Sequence, residues 1–353
     1  VRILLILLLV AALASTAAIG LAVHALHRPL ALDAPVVIEV PPGAALSRLA
    51  SDLAGRELLE HPRLFALWGR ITGDAARIHA GEYRLEPGLD ALGLLEILVR
   101  GRVLRRSLTL VEGWRFRDVR TALAAAPRLE PTIDDLDDGE IMRRLGAPDR
   151  VPEGRFFPDT YEYVAGNTDL ALLRRAFQRM QTVLAEEWAQ RDFDLPLETP
   201  DEALVLASLI EKETAVGAER RRIAGVFIRR LERGMRLQTD PAVIYGLGED
   251  FDGNLTRAHL RAPSPWNTYL QRGLPPTPIA MPGRASIHAA LHPAEGDALY
   301  FVARGDGSSV FSATLEEHNR AVRRYQLQRD DDYRSTPAPA EDDGAGASDR
   351  KRP

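Results

Sequence analysis

Ala203-Leu204-Val205-Leu206-Ala207-Ser208-Leu209-Ile210-Glu211-Lys212-Glu213-Thr214 reads as an apolar helix that ends in charge. Thr199 is placed as its N-cap and Pro200 in its first turn, and Glu202, three residues after Thr199, completes a capping box. A helix apolar on every side packs inside a core, so this stretch predicts a mainly helical domain built around it. Glu211 is the first carboxylate to emerge from the buried run. Desolvation and the negative end of the helix dipole both penalise its ionised form and are expected to raise its pKa. A carboxylic acid kept protonated near neutral pH is what a general acid for a glycosidic bond requires. The plainer alternative is an exposed glutamate, salt-bridged to an arginine of the next helix. Glu213 stands about 200° further round a helix, so the two acids are not expected to share a face. Glu211 continues the face of Ala207 and Ser208 and is the favoured one.

The chain has 353 residues, 45% hydrophobic and 27% charged, which gives room for two domains of ordinary size. A formal net charge of −5 supplies no basic footprint and argues against nucleic acid as a partner. The absence of cysteine excludes disulfides, thiol nucleophiles and Cys-ligated metal, and fits an oxidising compartment. The eight histidines are taken as scattered, so neither a metal site nor a cofactor is expected. From Ile3 to Val23 no residue is charged, a length that spans a bilayer, and residues 1–25 are read as a transmembrane anchor. Arg2 and the N-terminus favour the cytoplasmic side, leaving the body outside the cytoplasm. A cleaved leader is the alternative, because Ala12-Leu13-Ala14 resembles a small-residue cleavage site. Apolar residues continuing through Val23 favour an uncleaved anchor.

Residues 35–102 predict a small α+β module. Val36 to Val40 is a strand, Leu46 to Arg56 and His61 to Ile71 are amphipathic helices, Ile78 to Leu85 is a second strand, and Asp90 to Val99 is a helix. The order and the Gly81-Glu82-Tyr83-Arg84-Leu85-Glu86-Pro87-Gly88 ending resemble a LysM-like glycan-binding module, with a plain spacer as the alternative. Residues 103–328 hold the larger domain. Helical patterns cover Phe116 to Ala125, Ile133 to Leu145, Asp169 to Gln190 and Glu219 to Arg233, and Pro152 to Tyr161 is a turn-rich aromatic loop. Leu299 to Ala303 and Ser309 to Ser312, joined by Gly305-Asp306-Gly307, predict a β-hairpin, and Thr314 with Glu317 caps a last helix. The Asp run and Pro-Ala alternation from 329 to 353 predict a disordered tail. The fold class expected is therefore α+β: an N-terminal transmembrane helix, a small LysM-like module and a mainly helical catalytic domain with a hairpin near its C-terminus.

Gln238-Thr239-Asp240-Pro241 leads into Ala242-Val243-Ile244-Tyr245-Gly246. Asp240 suits an N-cap for a short helix. Alternatively Gln238 and Asp240 line a sugar cleft beside Glu211, where amide and carboxylate groups suit glycan hydroxyls. Trp266-Asn267-Thr268-Tyr269 opens a proline-rich loop through Gly283, which reads either as a stiff sugar-stacking wall or as a packing device.

Taken in order, Ala207 to Thr214, Gly234 to Pro241, Asn267-Thr268-Tyr269 with Gly273-Leu274-Pro275-Pro276, His292-Pro293-Ala294 with Leu299 to Val302, and Glu317-His318-Asn319 resemble the endolytic murein transglycosylase (YceG-like) family. Glu153-Gly154 and Phe157-Pro158-Asp159-Thr160-Tyr161 also fit. The resemblance implies a single-pass bacterial inner-membrane protein whose periplasmic part cuts nascent peptidoglycan strands beside peptidoglycan synthases, the penicillin-binding proteins. It puts the catalytic glutamate on Glu211 and substrate-binding residues on Gln238, Asp240, Tyr245, Asn267 and Tyr269, with no metal. The family shows Tyr where this chain has Trp266, which keeps the ring and loses a hydroxyl. Within enzymes the rival reading is a hydrolase with Asp240 as second carboxylate. Outside them it is a non-catalytic glycan-binding scaffold.

Overall fold

A computed structural model describes residues 2–327. The elements run α1 (Arg2–Leu26), β1 (Val36–Val40), α2 (Leu46–Gly55), α3 (Pro62–Ile71), β2 (Gly81–Leu85), α4 (Ala91–Val99), β3 (Arg106–Thr109), α5 (Phe116–Ala124), α6 (Asp138–Arg144) and β4 (Thr160–Tyr163). They continue with α7 (Asp169–Ala189), α8 (Pro200–Glu213), α9 (Arg220–Glu232), α10 (Asp240–Leu247), α11 (Arg284–Leu291), β5 (Tyr300–Ala303), β6 (Ser309–Ser312) and α12 (Leu315–Tyr325). The strands pair as two-stranded sheets, β1 with β2, β3 with β4 and β5 with β6. The chain is thus α+β with an apolar N-terminal helix. That helix, α1, is long and apolar enough to cross a membrane. The tail expected from 329 to 353 lies outside the described residues.

The chain divides into two compact units. The first comprises residues 1–108, 126–131 and 162–169. Here β1 and β2 pair antiparallel, Val36 opposite Leu85 and Val40 opposite Gly81, with α2 and α3 between them in sequence. Ile38, Val40, Leu49, Leu53, Phe65, Tyr83, Leu85, Leu94 and Leu98 form the core. Asp90 caps α4 by accepting the Gly93 N–H at 2.6 Å. Glu82, a buried acid on β2, is neutralised by Arg106 and by Arg128, the latter at 2.9 Å. Buried carboxylates require such partners.

The second unit comprises residues 109–125, 132–161 and everything from 170 onward. Its centre is α8, in which Ala203 to Ile210 are all buried. The expected cap is present: Thr199 Oγ1 accepts the Glu202 N–H at 3.2 Å, and the Glu202 carboxylate accepts the Thr199 N–H at 3.3 Å. Leu204, Leu206, Leu209 and Ile210 pack against Ile223 and Phe227 of α9 and Ile287, Ala290 and Leu291 of α11. Each such side chain stabilises the fold by about 1.5–3 kcal/mol. Thr314 and Glu317 cap α12 in the same reciprocal way.

Strands β3 and β4 were not expected from sequence, where Thr160 and Tyr161 fall in the aromatic loop, and two helices also depart from the sequence reading. Helix α6 starts at Asp138 rather than near Ile133, because the Asp137 carboxylate takes the Glu140 N–H at 2.7 Å and sets the N-terminus there. Helix α11 was not expected. It follows directly on the proline-rich loop, and its eight residues are too few for a clear 3.6-residue period.

Candidate active site

Ser208 is the one polar residue in the buried run of α8. Its hydroxyl donates to the Val205 carbonyl at 2.7 Å and accepts the Ile279 N–H at 3.0 Å. The second bond fastens the loop after Pro278 to the helix. The same loop is held again where Met281 and the 113–114 segment exchange bonds, Gly113 N–H to the Met281 carbonyl at 2.8 Å and Met281 N–H to the Trp114 carbonyl at 2.7 Å. So anchored, the loop delivers Gly283, the N-cap of α11, to the end of α8.

There Gly283 N–H donates to Glu211 Oε2 at 3.0 Å. Glu211 Oε1 lies 3.7 Å from Arg220 Nη2, and its side chain is 6% exposed. The arginine of the plainer reading therefore exists, as the first residue of α9, but the pair is enclosed rather than solvated. Glu112 approaches the same guanidinium nitrogen, 4.0 Å from Nη2. Burial, reinforced by the Glu211 charge and opposed by Arg220, raises the Glu112 carboxyl above its usual range. Arg220 Nε is buried and finds no hydrogen-bond partner among the described residues.

Glu211, Glu112 and Arg220 line a cleft of about 1040 Å³, together with Lys212, Glu213, Arg230, Gln238, Asp240, Tyr269, Tyr300, His318 and Asn319. Glu213 corrects the sequence reading, which turned it away from Glu211. Helix α8 ends at Glu213 and the chain is extended at Thr214, so the cleft wraps round the helix terminus and meets both acids. Burial, with the charge of Asp240 adding and Arg230 opposing, pushes the Glu213 carboxyl up to about 7. Arg230 is itself buried, fixed by the Leu237 and Leu299 carbonyls at 2.7 Å each, and its guanidinium lies 5.0 Å from the centre of the Tyr300 ring. His318 stacks on Tyr300, with ring centroids 5.2 Å apart.

Three bonds join the Gln238-Thr239 stretch to Thr268. Gln238 N–H donates to the Thr268 carbonyl at 3.1 Å, Thr239 N–H donates to Thr268 Oγ1 at 3.0 Å, and that hydroxyl donates to the Thr239 carbonyl at 3.2 Å. Gln238 takes a left-handed backbone, φ 53°, uncommon for a residue with a Cβ. Strain of this kind clusters at functional positions. Asp240 makes no capping bond; Thr239 is the N-cap of α10, and its own side chain makes none either. Instead Asp240 Oδ1 accepts the Tyr269 hydroxyl at 2.6 Å. Asp240 thus lines the cleft and does not cap α10. Tyr269→Phe is expected to remove this bond and leave Asp240 unoriented, at a cost of about 1.5–3 kcal/mol of stability in urea unfolding, the range for a hydrogen bond to a charged group.

Tyr245 and Asn267 are not among the cleft residues. Asn267 is fully buried, its amide donating to the Leu260 and Ala262 carbonyls at 3.2 and 2.8 Å and accepting the Tyr269 N–H at 3.0 Å. It shapes the loop that presents Tyr269. Tyr245 packs edge-on to Trp266 with Arg115 over its ring, and belongs to a buried group with Glu153. Glu153 accepts the Phe116 N–H at 3.1 Å, and burial pushes it up to about 7. Trp266 donates its indole N–H to Thr277 at 2.9 Å. Sequence reasoning missed Glu112, Arg220, Arg230 and Gly283.

Glu213 and Glu153 give the fold a pH dependence of definite sign. Each has a folded pKa near 7 against an ordinary 4.5, so between those values the folded chain holds more protons than the unfolded one. Stability therefore falls as pH rises from about 4.5 to 7 on account of these groups. Thermal unfolding of Glu213→Gln should show a shallower decline across that window than the native chain, with the Glu153 share remaining.

A family model described as the YceG-like family matches residues 38–324. The chain is similar to an endolytic murein transglycosylase of Bacillus subtilis (strain 168), 33% identical over 307 residues, covering 82% of this chain and 84% of that protein. It is also similar to an endolytic murein transglycosylase of Streptococcus pneumoniae serotype 2, 27% identical over 323 residues, covering 81% of this chain but 58% of that longer protein. Among solved structures, a yceG-like protein of Listeria monocytogenes matches with a TM-score of 0.53 and 28% identity, over 82% of this chain and 99% of the other. The family match runs from β1 into α12 and takes in the cleft residues named above: this chain belongs to the YceG-like family.

Proposed function

We propose that the chain is a peptidoglycan lytic transglycosylase that cuts murein glycan strands internally, with Glu211 as the single general acid and base. The observation that carries this reading is the Glu211 carboxyl, nearly water-free, steadied by a backbone N–H and opening into a cleft large enough for several sugar residues. Glu211 enters as the carboxylic acid and gives its proton to the oxygen between N-acetylmuramic acid and the next sugar, which leaves as an alcohol. The C1–O bond breaks through an oxocarbenium-like state. The resulting carboxylate takes the proton of the muramic C6 hydroxyl as that oxygen bonds to C1. The ring closes as 1,6-anhydro-muramic acid, and Glu211 is a carboxylic acid again. One carboxyl serves both steps because the nucleophile belongs to the substrate.

Gln238, Asp240 and Tyr269 are assigned to sugar hydroxyls and N-acetyl groups, and the unpartnered Arg220 Nε to a sugar or lactyl oxygen. The similarity to the Bacillus and streptococcal transglycosylases supports the substrate class. We further propose that α1 anchors the chain in the inner membrane with the cleft on the periplasmic side, beside the synthases that make its substrate. The strand–helix–helix–strand order of residues 36–85 supports a LysM-like role in holding glycan. A hydrolase is the second reading, favoured by Asp240, whose carboxylate is free of capping and oriented by Tyr269.

Mass spectrometry of products from uncross-linked glycan, digested by the detergent-solubilised full chain, separates the two. Anhydro-muramic ends are expected. Reducing ends in their place would transfer the assignment to hydrolysis.

A further inference from the structure

On the flank of the second unit, the last turn of α7 lies against α11. Glu187 is buried there, and its Oε2 lies 2.9 Å from His288 Nδ1. Its other oxygen, Oε1, takes Arg284 Nη1 at 2.7 Å, and the same guanidinium reaches Glu186 at 2.5 Å. His292, the C-cap of α11, places Nδ1 2.7 Å from Asp192 Oδ1. The two imidazoles, four residues apart on one helix face, have centroids 4.3 Å apart. One ligand-type atom from each of Glu187, His288 and His292 lies within 4.8 Å of the other two. Reading the histidines as scattered passed over this His-x-x-x-His pair.

We propose that Glu187, His288 and His292 form a binding site for a divalent transition-metal ion, with Zn²⁺ the ion that best fits two imidazoles and one carboxylate. The 2.9 Å between Glu187 Oε2 and His288 Nδ1 is already close to the edge of a coordination shell with bonds of about 2.0–2.2 Å. The metal takes the place of the proton between those two atoms, and that proton moves to His288 Nε2 on the exposed edge of the ring. Glu187 ligates through Oε2 alone, because Arg284 occupies Oε1. His292 ligates through Nε2 while Asp192 holds its Nδ1–H, an arrangement that fixes the tautomer and the ring. Glu186 and Glu187 both pair with Arg284, while Asp192 pairs with His292, so the carboxylates outnumber the guanidinium bonded to them. His288 is open to solvent and gives the ion a way in. The bound ion ties α7 to α11 from outside the catalytic cleft.

The test uses the full chain in detergent, stripped with chelator, then dialysed against micromolar ZnCl₂. About one zinc per chain is expected by elemental analysis, with a raised thermal midpoint, while Mg²⁺ and Ca²⁺ at the same concentration raise nothing. His288→Ala should lose the zinc and the midpoint shift. Asp192→Asn, which leaves all three ligands in place, should weaken binding by about 10–100-fold, and His61→Ala, a histidine of the first unit outside the cluster, should bind as the native chain does. Repeating the measurement in Glu211→Gln separates this site from the glycan chemistry, since zinc retention should be unchanged there. No retained zinc, or equal zinc content in the native chain and His288→Ala, would overturn the proposal. If His288→Ala does not fold, an unchanged affinity in Asp192→Asn overturns it.

Discussion

Glu211→Gln should abolish cutting, lowering the rate of glycan release by roughly 10²–10⁴-fold, the contribution typical of general acid–base catalysis. The amide keeps the shape of the side chain and can still accept the Gly283 N–H, so the fold should hold. What disappears is the transferable proton. Release of product is followed by mass spectrometry and folding by circular dichroism. Wild-type cutting by the variant would show that another acid does the work, and Glu213 and Glu112 would be the next to examine. The substitution carries a second readout. Part of the upward push on Glu112 comes from the Glu211 charge, so Glu112 should titrate at lower pH in the variant. Carboxyl-carbon NMR reports that shift without any substrate.

Gly283→Ala should slow cutting although the residue has no side chain of its own in the cleft. The backbone of Gly283, φ −76° and ψ 168°, suits any residue, so the objection is steric. A Cβ there would run into the Glu112 carboxylate. Either Glu112 swings away from Arg220 or Gly283 withdraws its N–H from Glu211. The atoms met are the far end of a half-exposed side chain, so Glu112 is the group that yields, and a loss of up to about tenfold in kcat is expected, short of the roughly 100-fold that a misplacement of about 1 Å in the catalytic group itself costs. Pairing the change with Glu112→Ala removes the collision. If the steric account holds, the double variant cuts faster than Gly283→Ala alone, a non-additivity that a double-mutant cycle measures. Equal rates in the two would place the damage elsewhere.

The legible parts of the molecule were those written in consecutive residues. Thr199, Pro200 and Glu202 announce the start of α8, and the apolar run after them announces its burial, so Glu211 could be placed at a helix end from sequence alone. Thr314 and Glu317 do the same for α12. What escaped is what distant segments assemble. Glu112, Arg220 and Gly283 come from three separate places, and nothing near any of them in sequence tells of the others. The reading of Glu213 failed for a different reason. An angle around the helix axis decides which residues share a face along its body, but at the final turn the cleft curves over the end, and the angle no longer separates the two acids. Asn267 and Tyr245 carry polar groups in a segment rich in sugar-binding residue types, yet their hydrogen bonds are spent on building the loop and a buried cluster. Residue type suggested contact with ligand; only the partners of each atom distinguish contact from support.

Ser208 sits one turn below Glu211 and grips the strand of chain that ends at Gly283. Acid and donor therefore ride on a common mount. When thermal fluctuation tilts α8, the 279–283 segment tilts with it, and the spacing between carboxyl and N–H is conserved through the motion instead of being restored after it. Under the proposed function, the cleft can breathe around a sugar chain without losing the alignment of its proton carrier.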